Sequence, residues 1–260
     1  MQNNVQKCGV AVVVLAAGQG KRMSAAYPDK PKALVEVGGV PFIVRLLSSI
    51  EKSKVADRLV LVVGHMAHTI KSRLGDKYEY VEQEERLGTG HAVMITENLL
   101  KNGCENVMVL YGDHPYVRPE TLAKMKDEHL KGDAAITMLS AKPEDFNGWR
   151  ATFADFGRII RNGRNEVARL VEKKDATEEE RAIREVNLGM YVFRGRWLWP
   201  HLHAIERRNT QNEYYLTDLI KMATSEGAGV HAIPTDPKEG LGFNTPEQVA
   251  EAEKLLNHVT

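Results

Sequence analysis

Long apolar runs are missing from this chain. No stretch approaches the roughly 18 residues that a membrane-crossing helix needs, and the opening MQNNVQKCGV holds no apolar core of a signal peptide. A soluble, cytoplasmic protein is expected. Excess charge of either sign is missing too: Lys plus Arg and Asp plus Glu each number 35, so the formal net charge is zero. Duplex nucleic acid and anionic membranes attract a basic excess, so neither is expected as a partner. Cysteine is scarce, with 2 in all, too few for a disulfide scaffold. Cys8 and Cys104 each precede an apolar run, and neighbouring strands would bring them to one end of a sheet. Two free thiols in a reducing compartment are nevertheless the expectation. The 9 histidines form no ligand set: His65 and His68 stand three apart without an HExxH pattern. No internal repeat and no Ser/Gly-rich linker interrupts the chain.

What is present is alternation. In 260 residues that are 43% hydrophobic there is enough apolar matter for a sizeable core. Residues 10–16, 58–63, 78–83, 106–112 and 134–139 read as strands, three of them continuous apolar runs that imply cover on both faces. Between them, residues 41–53, 67–74, 90–100 and 119–130 have helical spacing, the last opened by Pro119 and Glu120. Strand–helix repetition predicts an α/β fold, Rossmann-like, with a mostly parallel sheet and helices on both faces. After Ser140 the pattern loosens into short strands around an Asn-Gly turn, a β-rich insertion. A helical TEEERAIR, a strand over EVNLGMYVFRG, a helix over YYLTDLIKMATSEG, the strand GVHAIPT and a helix opened by Thr245-Pro246 follow.

The stretch VVVLAAGQGKRMSAAYPDKPKAL, residues 12–34, carries the first chemical signal. A buried strand runs into a small-residue turn and then into Lys21, Arg22, Lys30 and Lys32. A Walker loop is excluded because Arg22 follows Gly20-Lys21 where Ser or Thr is needed, and Leu15 stands where the first glycine belongs. A dinucleotide fingerprint is excluded because Met23 replaces its third glycine. What remains is a turn whose backbone N–H groups can approach an anion, with Arg22 as a planar fork for phosphate oxygens. Asp113 sits just past the end of another apolar strand, the edge where open α/β sheets place ligands. A carboxylate there suits Mg²⁺, which takes one or two protein oxygens and completes its shell with water and phosphate. The bland alternative for each is a solvated charge or a turn cap.

The string LAAGQGKRM with PKAL downstream resembles the signature of the sugar-1-phosphate nucleotidyltransferases. EQEERLGTGHA (82–92), YGDHP (111–115), FGRI (156–159), LVEKKDATEEER (170–181), EVNLGMYVF (185–193), NEYYLTDLI (212–220) and GFNTPEQ (242–248) follow in family order. They look like the uridyltransferase domain of the bacterial enzyme that makes UDP-N-acetylglucosamine. The resemblance implies a single nucleotidyltransferase domain over 1–260, with a nucleotide-binding half to about 140 and a sugar-binding half after it. It implies nucleotide contacts from Leu15, Ala16, Ala17, Gly18, Gln83, Gly88 and Thr89, with Gln83 reading the pyrimidine edge. It implies sugar contacts from Tyr111, Gly112, Gly157, Glu172, Asn187, Tyr215 and Thr217. Arg22, Lys32 and Asp113 become the catalytic set, and Asp113 with Asn244 the Mg²⁺ ligands.

The implied reaction joins UTP and N-acetylglucosamine-1-phosphate, giving UDP-N-acetylglucosamine and pyrophosphate. Another sugar-1-phosphate, an alditol phosphate or another pyrimidine nucleotide is the alternative within the class, and a nucleotide-sugar-binding module without turnover the alternative outside it. Lys21 stands where the family often has Thr, Leu188 where it favours Thr, and a lengthened loop offers Lys30 beside Lys32. The hexapeptide repeats of the longer relatives' acetyltransferase are not present, so a stand-alone uridyltransferase or an excised domain is expected.

Overall fold

The structure, a computed structural model, describes residues 8–209 and 211–257, with nothing said of the side chains of 255–257. Its strands are β1 (Cys8–Ala16), β2 (Glu36–Val37), β3 (Val40–Pro41), β4 (Arg58–Val63), β5 (Glu79–Glu82) and β6 (Cys104–Tyr111). They continue with β7 (Ile136–Ala141), β8 (Arg158–Arg161), β9 (Val167–Val171), β10 (Val186–Arg194) and β11 (Val230–Thr235). The main sheet runs β11-β7-β10-β6-β1-β4-β5, with the β8–β9 hairpin attached to the start of β10. β5, β4, β1 and β6 are mutually parallel, and β7 pairs parallel with β11. β10 lies antiparallel between β6 and β7. The β2–β3 pair stands apart.

The period of two assigns the faces. Val12 and Val14 of β1, Leu61 of β4 and Met108 and Leu110 of β6 enter one core. Ala11, Val13, Val60, Val62, Val107 and Val109 enter the other. Helix Phe42–Ser53 turns Phe42, Ile43, Leu46, Leu47 and Ile50 inward, a stripe at helical spacing, and packs beside helix Pro119–Lys131 on the first face. The α/β expectation holds, and the β-rich insertion is the β8–β9 hairpin.

Three details differ from expectation. The helix expected over 90–100 is broken into Thr89–Met94 and Glu97–Leu100, where the Thr96 hydroxyl bonds back to the Val93 carbonyl at 2.7 Å. Helix Gly195–Leu202, with Pro200 inside it, lies in a stretch for which no element was expected. The two free thiols are overturned: β1 and β6 pair with Cys8 opposite Cys104, their Cα atoms 4.4 Å apart, and the cysteines form a disulfide. Register brings together what sequence separates by 96 residues. Among the described residues no helix is long and apolar enough to cross a membrane.

His129 is 1% exposed beneath β7; its Nδ1 lies 2.9 Å from the Thr137 hydroxyl and its Nε2 has no partner among the described residues. Burial, aided by the Arg194 charge, pushes its pKa down to about 4. Between that value and the ordinary imidazole range the unfolded chain holds a proton that the folded chain refuses, so stability falls as pH falls. Urea unfolding is expected to show a loss of about 2 kcal/mol between pH 7 and pH 5 from this group. His129→Gln removes that increment, and an unchanged pH slope in the variant refutes it.

Candidate active site

β1, β5 and β6 all end on the same edge, and the segments leaving them line a cleft of about 640 Å³. Leu15, Ala16, Ala17 and Gly18 line it from the turn after β1; Tyr111, Gly112 and Asp113 line it from the end of β6. Gly20 adopts φ 60°, and a Cβ there would stand 2.9 Å from the Lys32 Cβ, so only glycine lets the 30s loop return this close. The helical turn Lys21–Ser24 then sends successive side chains about 100° apart. Lys21 and Arg22 are both exposed, but Lys21 lines the cleft and Arg22 lies outside its lining.

The return loop decides between the two lysines. Lys30 pairs with Glu36 at 3.2 Å, both side chains about half exposed. Lys32, after Pro31, points into the cleft, where its ammonium donates to the Asp113 carboxylate and, at 2.7 Å, to the Asn244 Oδ1. Burial works to raise the Asp113 pKa, but the neighbouring Lys32 and His114 outweigh it and hold the carboxyl below its usual range. Asn244 is fixed by the start of helix Pro246–Asn257. Gln248 reaches back to accept from the N–H groups of Asn244 at 2.7 Å and Thr245 at 3.2 Å, while its own N–H donates to the Thr245 hydroxyl. This is a Thr-x-x-Gln capping box.

Asp113 and Asn244 thus present two hard oxygens to one point, and a cation already stands there in the ammonium of Lys32. The donor set fits a divalent ion that takes few protein oxygens and keeps places for phosphate and water. No group of three or more His, Cys, Asp or Glu suited to a metal occurs among the described residues.

The other end of the cleft holds Gln83, 6% exposed. Its Nε2 lies 3.1 Å from the Gly88 carbonyl and 3.1 Å from the His91 Nδ1. Both amide hydrogens are then committed, and Oε1 is left to accept. A donor and an acceptor were both expected to read the base; the geometry offers the acceptor. Gly88, at φ 102°, meets the 214 backbone so closely that a Cβ would lie 2.6 Å from the Tyr214 carbonyl. Thr89 Oγ1 accepts from the Leu216 N–H at 3.1 Å, and the Gly90 N–H donates to the Tyr214 carbonyl at 2.8 Å. These bonds dock the 87–90 turn on the segment that carries Tyr215 and Thr217.

Thr89 also borders a second cavity of about 690 Å³, lined by Glu172, Tyr215 and Thr217 together with Asp155, Lys173, Lys174, Arg181 and Gln211. Burial raises the Glu172 pKa, while a hydrogen bond with Thr217 opposes the rise. A Cβ on Gly157 would stand 3.1 Å from the Leu170 Cδ1, a tight approach, and 3.5 Å from the Glu172 Oε2, an ordinary contact, so this glycine lies beside the carboxylate. Asn187 behaves differently. Its Nδ2 donates to the Tyr191 hydroxyl at 2.7 Å and its Oδ1 accepts from the Gly189 N–H at 3.0 Å, bracing the irregularity in β10. It is buried and lines neither cavity.

A profile of the MobA-like NTP transferase domain matches residues 12–219. The chain belongs to that family. Proteins named bifunctional protein GlmU resemble this transferase domain along nearly all of its length. The one from Heliobacterium modesticaldum is 41% identical over 246 residues, covering 94% of this chain and 51% of its own. That from Acetivibrio thermocellus is 39% identical over 245 residues, with the same two coverages of 94% and 51%. The chain therefore spans about half the length of the curated relatives it matches. Among solved structures, a UDP-glucose pyrophosphorylase complexed with UDP-glucose superposes with a TM-score of 0.78 at 17% identity, covering 97% of this chain and 100% of its own. That likeness establishes a shared fold.

The sequence did not single out Gln19, Ala33, Arg86, Ala92 or Glu213, which also line the cleft of the transferase domain. Arg86 stands within the motif that supplied Gln83. Glu213 reaches the cleft only because the 214 segment docks on Gly88, a contact between residues more than a hundred positions apart.

Proposed function

We propose that the chain catalyses uridylyl transfer from UTP to N-acetylglucosamine-1-phosphate, releasing pyrophosphate and forming UDP-N-acetylglucosamine. The observation that carries this is the convergence of Lys32, Asp113 and Asn244 at one end of a cleft whose other end is Gln83. Uracil presents N3–H to an acceptor where cytosine presents a bare nitrogen, so a free Gln83 Oε1 favours the uridine nucleotide. The curated relatives at about 40% identity point to the same chemistry.

In this reaction a phosphate oxygen of the sugar phosphate forms a bond to the α-phosphorus, and the bond from that phosphorus to the bridging β-oxygen breaks. The incoming oxygen is already ionised, so no general base is needed. The work left to the protein is holding two polyanions in line and balancing their charge. The turn of Leu15 to Gly18 brings backbone N–H groups to the triphosphate, and Lys32 and Lys21 supply positive charge beside it. Arg22 joins them only through a rotation of its exposed side chain. Asp113 and Asn244 would hold Mg²⁺, which would supply charge neutralisation to the reacting phosphates. Glu172 and Thr217 accept and donate to sugar hydroxyls in the second cavity, with Tyr215 lining it, Gly157 beside Glu172 and Asn187 bracing β10.

On this reading 1–260 is one transferase domain. Its nucleotide half extends to about residue 140 and its sugar half beyond, with Thr89 and Asn244 each crossing to the other half's site. The supply of UTP points to the cytoplasm, although the Cys8–Cys104 bond is uncommon there. Pyrophosphate release from a panel of nucleotides and sugar phosphates tests the assignment. UTP with N-acetylglucosamine-1-phosphate is expected to lead in kcat/KM, with CTP at least about tenfold poorer. No release with any pair, or equal use of CTP, refutes it.

A further inference from the structure

Asp113 and Asn244 lie 131 positions apart in sequence; besides Lys32 and the Gln248 cap, a further support for their spacing lies away from the cleft. Glu239, five residues before Asn244, is 2% exposed and its carboxylate accepts from five donors. Three belong to Arg118: the backbone N–H at 2.9 Å, Nε at 2.9 Å and Nη2 at 2.6 Å. The hydroxyls of Thr121 at 3.0 Å and Thr235 at 2.8 Å complete the set. Arg118 in turn stands five residues after Asp113. The two spans, 113–118 and 239–244, therefore run together from one polar joint to the two oxygen donors.

Between joint and donors the spans touch in shapes that only keep them in contact. Tyr116 meets Phe243 edge-on at 5.8 Å, and a Cβ on Gly242 would lie 2.6 Å from the His114 ring. Apolar contacts of this kind resist separation but tolerate sliding, because they have no fixed partner atoms. Hydrogen bonds from a forked guanidinium and two hydroxyls to one carboxylate do not tolerate it. We propose that Glu239 is a positioning residue for the cation site: its carboxylate, held by Arg118, Thr121 and Thr235, sets the register of the two spans and so the distance between the Asp113 and Asn244 oxygens. This rests on the reading of that pair as a divalent-cation site.

The variant Glu239→Gln keeps the shape but replaces one accepting oxygen with an NH₂ group that faces donors. Titration of the purified chain with Mn²⁺ alone, followed by electron paramagnetic resonance, reads the site without turnover. Mn²⁺ affinity is expected to fall about tenfold, while UTP affinity in EDTA stays within twofold of the parent. The metal concentration giving half-maximal pyrophosphate release is expected to rise in step, with turnover recovering at high Mn²⁺. Unchanged Mn²⁺ affinity overturns the proposal, as does an equal loss of metal and UTP binding, which marks general loosening. If Glu239→Gln does not fold, Arg118→Met, on a side chain more than half exposed, is read by the same criteria. A parent protein that binds Mn²⁺ but releases no pyrophosphate refutes the uridylyl reading and leaves the joint standing.

Discussion

Asp113→Asn is expected to lower pyrophosphate release by about three orders of magnitude while leaving UTP binding in EDTA intact or slightly tighter. The two halves of that result have one origin. The carboxylate is the anionic member of the oxygen pair, and an amide cannot balance a divalent charge. Removing it also removes a negative charge from a cleft meant for a polyanion, and frees the Lys32 ammonium that now donates to it. A merely structural Asp113 gives the opposite pattern, with UTP affinity and turnover lost together. Steady-state rates over a wide Mg²⁺ range, with calorimetry of UTP in EDTA, distinguish the two. Near-parental turnover at saturating Mg²⁺ takes Asp113 out of the ligand set.

Lys32→Ala is expected to cost about two orders of magnitude in turnover, and Lys30→Ala less than twofold. A fixed charge acts where charge develops, whereas a solvated one is screened. Lys32 is fixed: it is mostly buried and bonded to both oxygen donors. Lys30 is about half exposed and is paired outward with Glu36. With Lys32 gone, nothing positive separates Asp113 from Asn244, so the Mn²⁺ affinity of Lys32→Ala is expected to rise even as its rate falls. The single variants and their double, compared in rate and in Mn²⁺ binding, test this. Equal rate losses at positions 30 and 32, or weaker Mn²⁺ binding in Lys32→Ala, refute the arrangement.

Much of this was legible in the chain because burial writes itself as period. Residues 58–63 and 67–74 were bounded as observed, since each is an unbroken pattern ended by a glycine or a polar run. The cleft was legible because small residues, an acid past a strand end and a lysine after a proline are local signals. What escaped depends on pairing across the sheet. The sequence allows Cys8 and Cys104 to share one end of the sheet; only the parallel register shows that β1 and β6 are neighbours with the two cysteines opposite each other. Nothing in DPKEG marks Glu239 as buried, because its donors come from Arg118, Thr121 and Thr235. The choice between Lys21 and Arg22 turned on one step of helical rotation, which composition does not encode. Helix Gly195–Leu202 turns Leu198, Trp199 and Leu202 inward although Pro200 lies inside it, a pattern too short and too interrupted to stand out in the sequence.

The disulfide lies at the amino ends of β1 and β6, and the catalytic cleft lies at their carboxyl ends. A covalent tie at that edge shortens the list of shapes open to the unfolded chain, because it closes a loop spanning 96 positions. It adds nothing to the placement of Lys32, Asp113 or Asn244, which have their own supports. Reduction is therefore expected to lower the chain's resistance to unfolding while leaving the turnover of the folded protein unchanged.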